Sequence, residues 1–264
     1  MAGGGFSLAS LRAVQSVLAF LTILPSGKQS HDIHYVAKNM YLFPVAGLVI
    51  GAMIGAMAFG ISPFLHPLLV GLLVAGSLVI ITGIHHTDAL ADFADGLMAK
   101  GGKEVKHKAM LDPAVGSAGV AALVMYFAGM IIVFHTGFVS GLAILFSIIT
   151  AEVIAKYAMV LLANRGLSAW EGFSSPFTAA MKDKRKLAAA TVIMLTIVWF
   201  TSNYAGLIAL GVSLAIAGLM KYVSDKSFGG ISGDVLGASN EVCRLSSLIA
   251  LSSFPAMPVV MTLF

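Results

Sequence analysis

The chain has 264 residues, of which 58% are hydrophobic and only 11% charged, with a formal net charge of +4 and a mean hydropathy of +0.94. Soluble domains carry about 25% charged residues, so an ordinary water-soluble globule is excluded. The single cysteine, Cys243, excludes an intrachain disulfide and a cysteine-based zinc site, and the basic excess belongs to membrane topology rather than to a nucleic-acid partner.

Residues 39–87, 113–151, 187–220 and 245–264 contain no Asp, Glu, Lys or Arg. A membrane-spanning helix needs about 20 apolar residues, so each of the first three runs holds a hairpin of two spans and the last holds one. In chain order the predicted spans are 6–24, 41–60, 68–84, 116–134, 138–162, 187–201, 205–220 and 246–263. The fold class is therefore all-α, a polytopic membrane bundle of seven or eight helices forming a single integral membrane domain over residues 1–264. The first segment carries Arg12 and Gln15 among apolar residues, which also suits a helix lying along the interface. No basic stretch precedes it, so a cleaved signal peptide is not expected.

Basic residues set the orientation. Except for Arg12 and Lys156, they lie in four connecting segments: Lys28 and Lys38; Lys100, Lys103, Lys106 and Lys108; Arg165, Lys182, Lys184, Arg185 and Lys186; Lys221, Lys226 and Arg244. The intervening turns, 61–67, 135–137 and 202–204, carry none. This alternation is the positive-inside pattern. It predicts a multi-pass protein of the cell membrane with the charged loops in the cytoplasm and the C-terminus outside.

The acidic residues cluster. Asp88, Asp92 and Asp95 stand at i, i+4 and i+7 in HHTDALADFADG, which places all three within about 60° of one another round a helix. No basic residue occurs between Asn39 and Asp95 to neutralise them, so a divalent cation is expected, and oxygen ligands suit Mg²⁺, Mn²⁺ or Ca²⁺. His85 falls near this stripe and His86 on its far side. For His85, metal binding or proton transfer stands against a hydrogen bond at the interface. The four lysines at 100–108 serve topology and can also meet phosphate. Asp112, before Pro113, supplies a further ligand or caps the next helix.

A second constellation, FGGISGDVLGASNE, joins a glycine turn (Gly229, Gly230, Gly233) to Asp234 and Glu241, seven apart and on one helical face. The turn could bring backbone N–H groups to an anion. Gly237 and Ala238 allow close approach of a ligand or of another helix. Glu152 and Lys156, four apart within a span, are expected to pair and so lower the cost of charge in lipid. Trp170, in NRGLSAWEGF, suits a nucleotide or a lipid headgroup. Gly47, Gly51 and Gly55 predict a tight helix interface, within or between subunits, which leaves a homo-oligomer open.

Aspartates on one stripe, nearby lysines and a glycine turn, all at span boundaries, point to a Mg²⁺-assisted reaction in which a phosphate or diphosphate leaves. Alcohol phosphotransferases, intramembrane prenyltransferases and cobalamin-assembly transferases place acids in this way. A divalent-cation transporter would put them at the bilayer midplane on broken helices.

HHTDALADFADG resembles the signature H-x-D-G-L-A-D-x-x-D-G of the adenosylcobinamide-GDP ribazoletransferases, the membrane cobalamin synthases. Asp88, Leu90, Ala91, Asp92, Asp95 and Gly96 match it, followed by Asp112, Gly116 and Gly119 at the family's D-S-R-x-G-x-x-G. Gly229, Gly230, Gly233, Asp234, Leu236, Gly237, Ala238 and Glu241 match the late motif G-G-x-T-G-D-x-L-G-A-x-x-E. FLTILP and YLFPVAGLVIG resemble the early stretches, so the likeness runs from about residue 15 to 245. Ala89, Ser232 and the Pro113–Ala114 pair depart from the pattern. The missing arginine predicts that Arg165 or a lysine of 100–108 clamps phosphate instead.

The resemblance implies transfer from adenosylcobinamide-GDP to α-ribazole or its 5′-phosphate, with release of GMP and a requirement for Mg²⁺, in an open cytoplasmic cleft. It implies that Asp88, Asp92 and Asp95 hold the metal, that Asp234 and Glu241 complete the site, and that Asp95 acts as general base. Candidate substrate contacts are His85, Lys100, Lys103, Asp112, Gly230, Gly233 and Gly237. The alternatives are a CDP-alcohol phosphotransferase, whose D-G-x-x-A-R opening would need arginine where Asp92 stands, and the cation transporter.

Overall fold

The computed structural model describes residues 8–24, 32–138 and 141–254. The described residues form helices α1 (Leu8–Leu21), α2 (Ile33–Lys38), α3 (Phe43–Ile61), α4 (Pro67–Thr82), α5 (His85–Met98), α6 (Lys103–Met110), α7 (Ser117–Thr136), α8 (Gly141–Arg165), α9 (Ser175–Ala180), α10 (Lys184–Ser227) and α11 (Gly233–Ser253). Among them the one piece of β pairing is an isolated bridge between Ser168 and Ile231.

The bundle is built around α8, which is buried along most of its length and packs against α3, α10 and α11. The glycine stripe explains how close α3 comes. A Cβ on Gly47 would lie 2.7 Å from the Glu152 carbonyl oxygen, one on Gly51 2.7 Å from Ile149 Cα, and one on Gly55 2.8 Å from the Leu145 carbonyl oxygen. The tight interface predicted for these glycines therefore lies within the chain.

α10 is broken by a kink at Asn203, whose backbone is non-helical (φ 50°, ψ −134°). A Cβ on Gly206 would lie 2.6 Å from Val198 Cγ1, which requires the chain to fold back on itself there. The first leg is tied to α8 by hydroxyl pairs, Tyr157 to Thr191 at 2.9 Å and Thr150 to Thr201 at 2.7 Å. The second leg is tied to α11 by Ser213 and Ser247 at 2.7 Å. The two spans predicted over 187–201 and 205–220 are these legs.

Among the described residues, four helical stretches are long and apolar enough to cross a membrane: Met40–Ile61, Ser117–Thr136, Gly141–Arg165 and Lys184–Ser227. α4 reaches that standard only when counted together with α5, from which a 96° bend separates it. This makes the chain an all-α, multi-pass membrane protein, with fewer separate helices of spanning length than the seven or eight predicted. Three differences account for the count. α10 contributes two legs to one helix, and α1 has only 14 residues. The predicted last span belongs to a helix that starts at Gly233 rather than Ser246, and residues 255–263 of that span lie outside the described residues.

The break between α4 and α5 positions the site. Gly83 and Ile84 both take left-handed backbone conformations, φ 67° and φ 64°, and the chain turns through 96°. Gly83 adopts this freely, whereas a β-branched isoleucine pays a steric cost. α4 ends there, and α5, with its three aspartates, leaves the direction of the span.

Candidate active site

α5 crosses the start of α11 at small residues: a Cβ on Gly237 would lie 2.5 Å from that of Ala89. The contact sets Asp88 and Asp92 of α5 beside Asp234 of α11. Their mutual repulsion is visible at Asp92, whose carboxyl is pushed up to about 6, first by burial and then by the charges of Asp88, Asp234 and Asp95. Asp234 lies in the first turn of α11, behind the N-cap Ser232. Burial also raises its carboxyl, against a stabilising hydrogen bond from Ser232.

Asp88 and Asp234 line a cavity of about 520 Å³ together with His85, His86, Gly233 and Gly237. An aromatic cluster also lines it: Phe20 of α1 lies 5.4 Å, centroid to centroid, from Phe177 of α9 and 5.9 Å from Phe173, and Phe43 of α3 lies 6.3 Å from Phe177. His85 is exposed at the rim. His86 is buried, and its Nδ1 has no hydrogen-bond partner.

The remaining expected site residues lie elsewhere. Asp95 turns to the start of α7, where one oxygen accepts from the Gly116 N–H at 2.7 Å and the other from the Gly119 N–H at 2.9 Å. Side chains at either glycine would collide with that carboxylate. Asp95 therefore caps α7 from outside the helix, the task expected of Asp112. Asp112 is exposed and accepts instead from the Ala114 N–H at 2.9 Å.

Glu241 is buried away from the aspartates. It accepts from Arg244 and, at 2.9 Å, from Asn240. The same guanidinium pairs with Glu152, and Lys156 lies 3.4 Å from Glu152 and 2.7 Å from Asn240. The Glu152–Lys156 pair expected from the sequence is thus part of a larger buried network. Arg244 belongs inside that network rather than among the loop charges.

Gly230 is packed against another backbone: a Cβ there would lie 2.5 Å from the Leu167 carbonyl oxygen. The Ile231 N–H donates to that oxygen at 2.8 Å, and the Ala169 N–H donates to the Ile231 carbonyl at 3.0 Å. The glycine turn therefore seats the 167–169 segment. Gly233, by contrast, faces the cavity. Trp170 stacks on His107 at 3.6 Å. Of the lysines, Lys106 donates to the Leu97 and Ala99 carbonyls at the end of α5. Lys103 reaches the Asp225 carbonyl at 3.4 Å beside Gly229, and Lys100 is exposed, as is Arg165 at the end of α8.

The sequence pattern of the cobalamin-5-phosphate synthase family matches residues 13–252, from within α1 to the last turn of α11. The chain belongs to that family. Among curated proteins, it is 33% identical over 244 residues to an adenosylcobinamide-GDP ribazoletransferase of Archaeoglobus fulgidus, covering 92% of this chain and 97% of the relative. The ribazoletransferase of Methanocella arvoryzae is 32% identical over 252 residues, covering 90% and 94%. That of Pyrococcus abyssi is 31% identical over 240 residues, covering 90% and 97%. No solved structure matches.

For a cobalamin-5-phosphate synthase the pair Asp88 and Asp92, with Asp234 beside it, is chemically suited to Mg²⁺, being all oxygen and crowded enough to raise Asp92. Among the described residues no three His, Cys, Asp or Glu side chains already converge on one point. Mg²⁺ does not require such a cage, because it is usually held by one or two carboxylates plus substrate phosphates and water. The site residue missed from the sequence is His86, set aside for lying off the aspartate stripe. The signal that could have found it is its place as the histidine of H-x-D, two residues before Asp88.

Proposed function

We propose that the chain transfers the adenosylcobinamide phosphate of adenosylcobinamide-GDP to α-ribazole or its 5′-phosphate, releasing GMP. The observation that carries this is the meeting of Asp88, Asp92 and Asp234 beside a nucleoside-sized cavity, in a chain whose family match covers nearly its whole length. A ribose hydroxyl of the acceptor attacks the phosphorus bonded to the cobinamide arm. A new P–O bond forms, the bridging P–O bond to the GMP phosphate breaks, and the electron pair leaves with GMP. Asp234, on the cavity wall, takes the hydroxyl proton, and its raised proton affinity suits a base. Asp95 is a poorer base because both of its oxygens hold α7 N–H groups.

Asp88 and Asp92 would hold Mg²⁺, which supplies charge neutralisation on the diphosphate. Lys100 and Lys103, both exposed in the segment that follows α5, would offer positive charge to the substrate's phosphates. The alternation of basic segments supports a cytoplasmic placement of the aspartates in the cell membrane.

The test is GMP release by the purified protein. Adenosylcobinamide-GDP with ribazole phosphate and Mg²⁺ should give GMP, and CDP-diacylglycerol with an alcohol should give no CMP. Asp92→Asn should cost at least about 10²-fold in rate, the scale of losing one electrostatic contact to the transition state. Activity on the CDP-lipid, or Mg²⁺ flux into proteoliposomes without corrinoid, would replace this reading with one of its alternatives.

A further inference from the structure

A separate groove of about 930 Å³ lies between α2, the segment leading into α9, and the start of α10. It is lined by Lys38, Lys186 and Glu171 among the apolar side chains of Ile33, Phe173 and Pro176. Lys38 is exposed and Lys186 half-buried, and among the described residues neither ammonium is in an ion pair. The aspartates that begin the same two helices are engaged as caps. Asp32 accepts from the His34 N–H at 2.9 Å, and Asp183 accepts from the Arg185 N–H at 2.9 Å. Glu171 is the one carboxylate that lines the groove.

Depth decides what such a groove can hold. Lys38 is the last charged residue before the uncharged run 39–87, and Lys186 is the last before 187–220. Each therefore stands where its chain passes from water into hydrocarbon, which is the level of lipid headgroups. The fold brings both boundary lysines to one groove with an apolar wall. The leg of α10 that follows Lys186 goes on to expose Val192 and Leu195, which offer acyl chains a surface. Cations beside apolar surface at a span boundary are complementary to a phosphate diester that carries acyl chains. A soluble anion would use the lysines and leave the apolar wall wet. Two lysines against one carboxylate favour a lipid of net negative charge, and Glu171 can accept from hydroxyls on its headgroup.

We propose that this groove binds one anionic phospholipid of the phosphoglycerol class. Lys38 and Lys186 hold its phosphate, Glu171 accepts from its headgroup hydroxyls, and its glycerol ester region lies on Phe173 and Pro176. Phe173 lines the aspartate cavity as well, so the lipid touches a side chain that the two cavities share.

Native mass spectrometry of the full chain, released from an uncharged detergent after titration with phosphatidylglycerol or phosphatidylethanolamine of the same acyl chains, reads the binding directly and does not depend on the transfer reaction. Wild type should hold one phosphatidylglycerol about tenfold more tightly than phosphatidylethanolamine. Lys38→Gln combined with Lys186→Gln should weaken phosphatidylglycerol about 30-fold, the scale of two lysines against an anionic headgroup. Lys184→Gln combined with Arg185→Gln removes the same charge from exposed positions of α10 outside the groove, and should change the affinity by about threefold at most. Equal losses in the two double variants would mean diffuse attraction to a basic surface, and equal wild-type affinity for the two lipids would mean no headgroup site; either result overturns the proposal. Displacement of the lipid by an equal concentration of glycerol 1-phosphate would also overturn it, by assigning the groove to a soluble phosphate ester. The comparison of the two lipids on wild type needs no variant to fold.

Discussion

Asp92 and Asp95 stand one turn apart on α5 and do different work. Asp92 faces other carboxylates, and its pKa of about 6 makes protons compete with a cation inside the usual assay range. Above this value the carboxylate is free to bind Mg²⁺; below it, each pH unit costs a further factor of ten in free carboxylate. The Mg²⁺ concentration for half-maximal transfer should therefore rise about tenfold from pH 7 to pH 5. The measurement should use α-ribazole itself as acceptor, since it has no phosphate to titrate, and a flat dependence would remove Asp92 from the ligand set. Asp95 should behave as a structural residue. Asp95→Asn keeps one acceptor for two N–H groups, so it should lower the unfolding free energy by about 1–2 kcal/mol while retaining far more transfer activity than Asp92→Asn. The helical spacing places the three aspartates on one face, but spacing cannot say which neighbour covers each part of that face. Only the pairing of Asp95 with Gly116 and Gly119 separates it from the other two.

At the scale of helices, the close contacts are made by backbone where side chains are missing. Gly51 sits against α8 with no room for a methyl group, whereas a Cβ on Gly76 of α4 would meet nothing within 4 Å. Gly51→Ala should therefore destabilise by about 1–3 kcal/mol through overpacking, and Gly76→Ala should be neutral or stabilising by up to about 1 kcal/mol through helix propensity. Thermal unfolding of the two variants in one detergent compares them directly, and equal shifts would mean that α3 is free to move away from α8. The glycine spacing at 47, 51 and 55 and the bare turn at 202–204 made the α3 interface and the α10 hairpin readable in advance. The bend between α4 and α5 was less so, because Gly83 announces a turn but nothing about Ile84 predicts a positive φ. The start of α11 was hidden for a related reason: its first half is polar enough to resemble a loop, yet Glu241 and Arg244 are buried in ion pairs with each other and with Glu152 of α8.

Those pairings connect the membrane bundle to the site. Glu152 and Lys156 of α8, Glu241 and Arg244 of α11, and Tyr126 of α7, whose hydroxyl accepts from Arg244 at 2.9 Å, form one buried, formally neutral group. α11 leaves this group to reach Asp234, and α5 rests on α11 at Gly237, so the position of the aspartates depends on the helices the network joins. Counting basic residues by loop cannot recognise this, because a charge in an ion pair and a charge in water look alike in the sequence. Removing one member leaves an opposite charge stranded in a dry interior, typically at about 3–5 kcal/mol, whereas removing a pair together is far less costly. Arg244→Met removes the cation that pairs with Glu241 and weakens the hold on Glu152, so this variant should lose most of its monodisperse yield in detergent. Arg244→Met combined with Glu241→Met keeps the Glu152–Lys156 pair and restores neutrality, so its melting temperature should lie between those of Arg244→Met and wild type. If Arg244→Met alone melts with wild type, the network is not what holds α11 to α8, and the aspartates of α5 must be positioned by apolar packing alone.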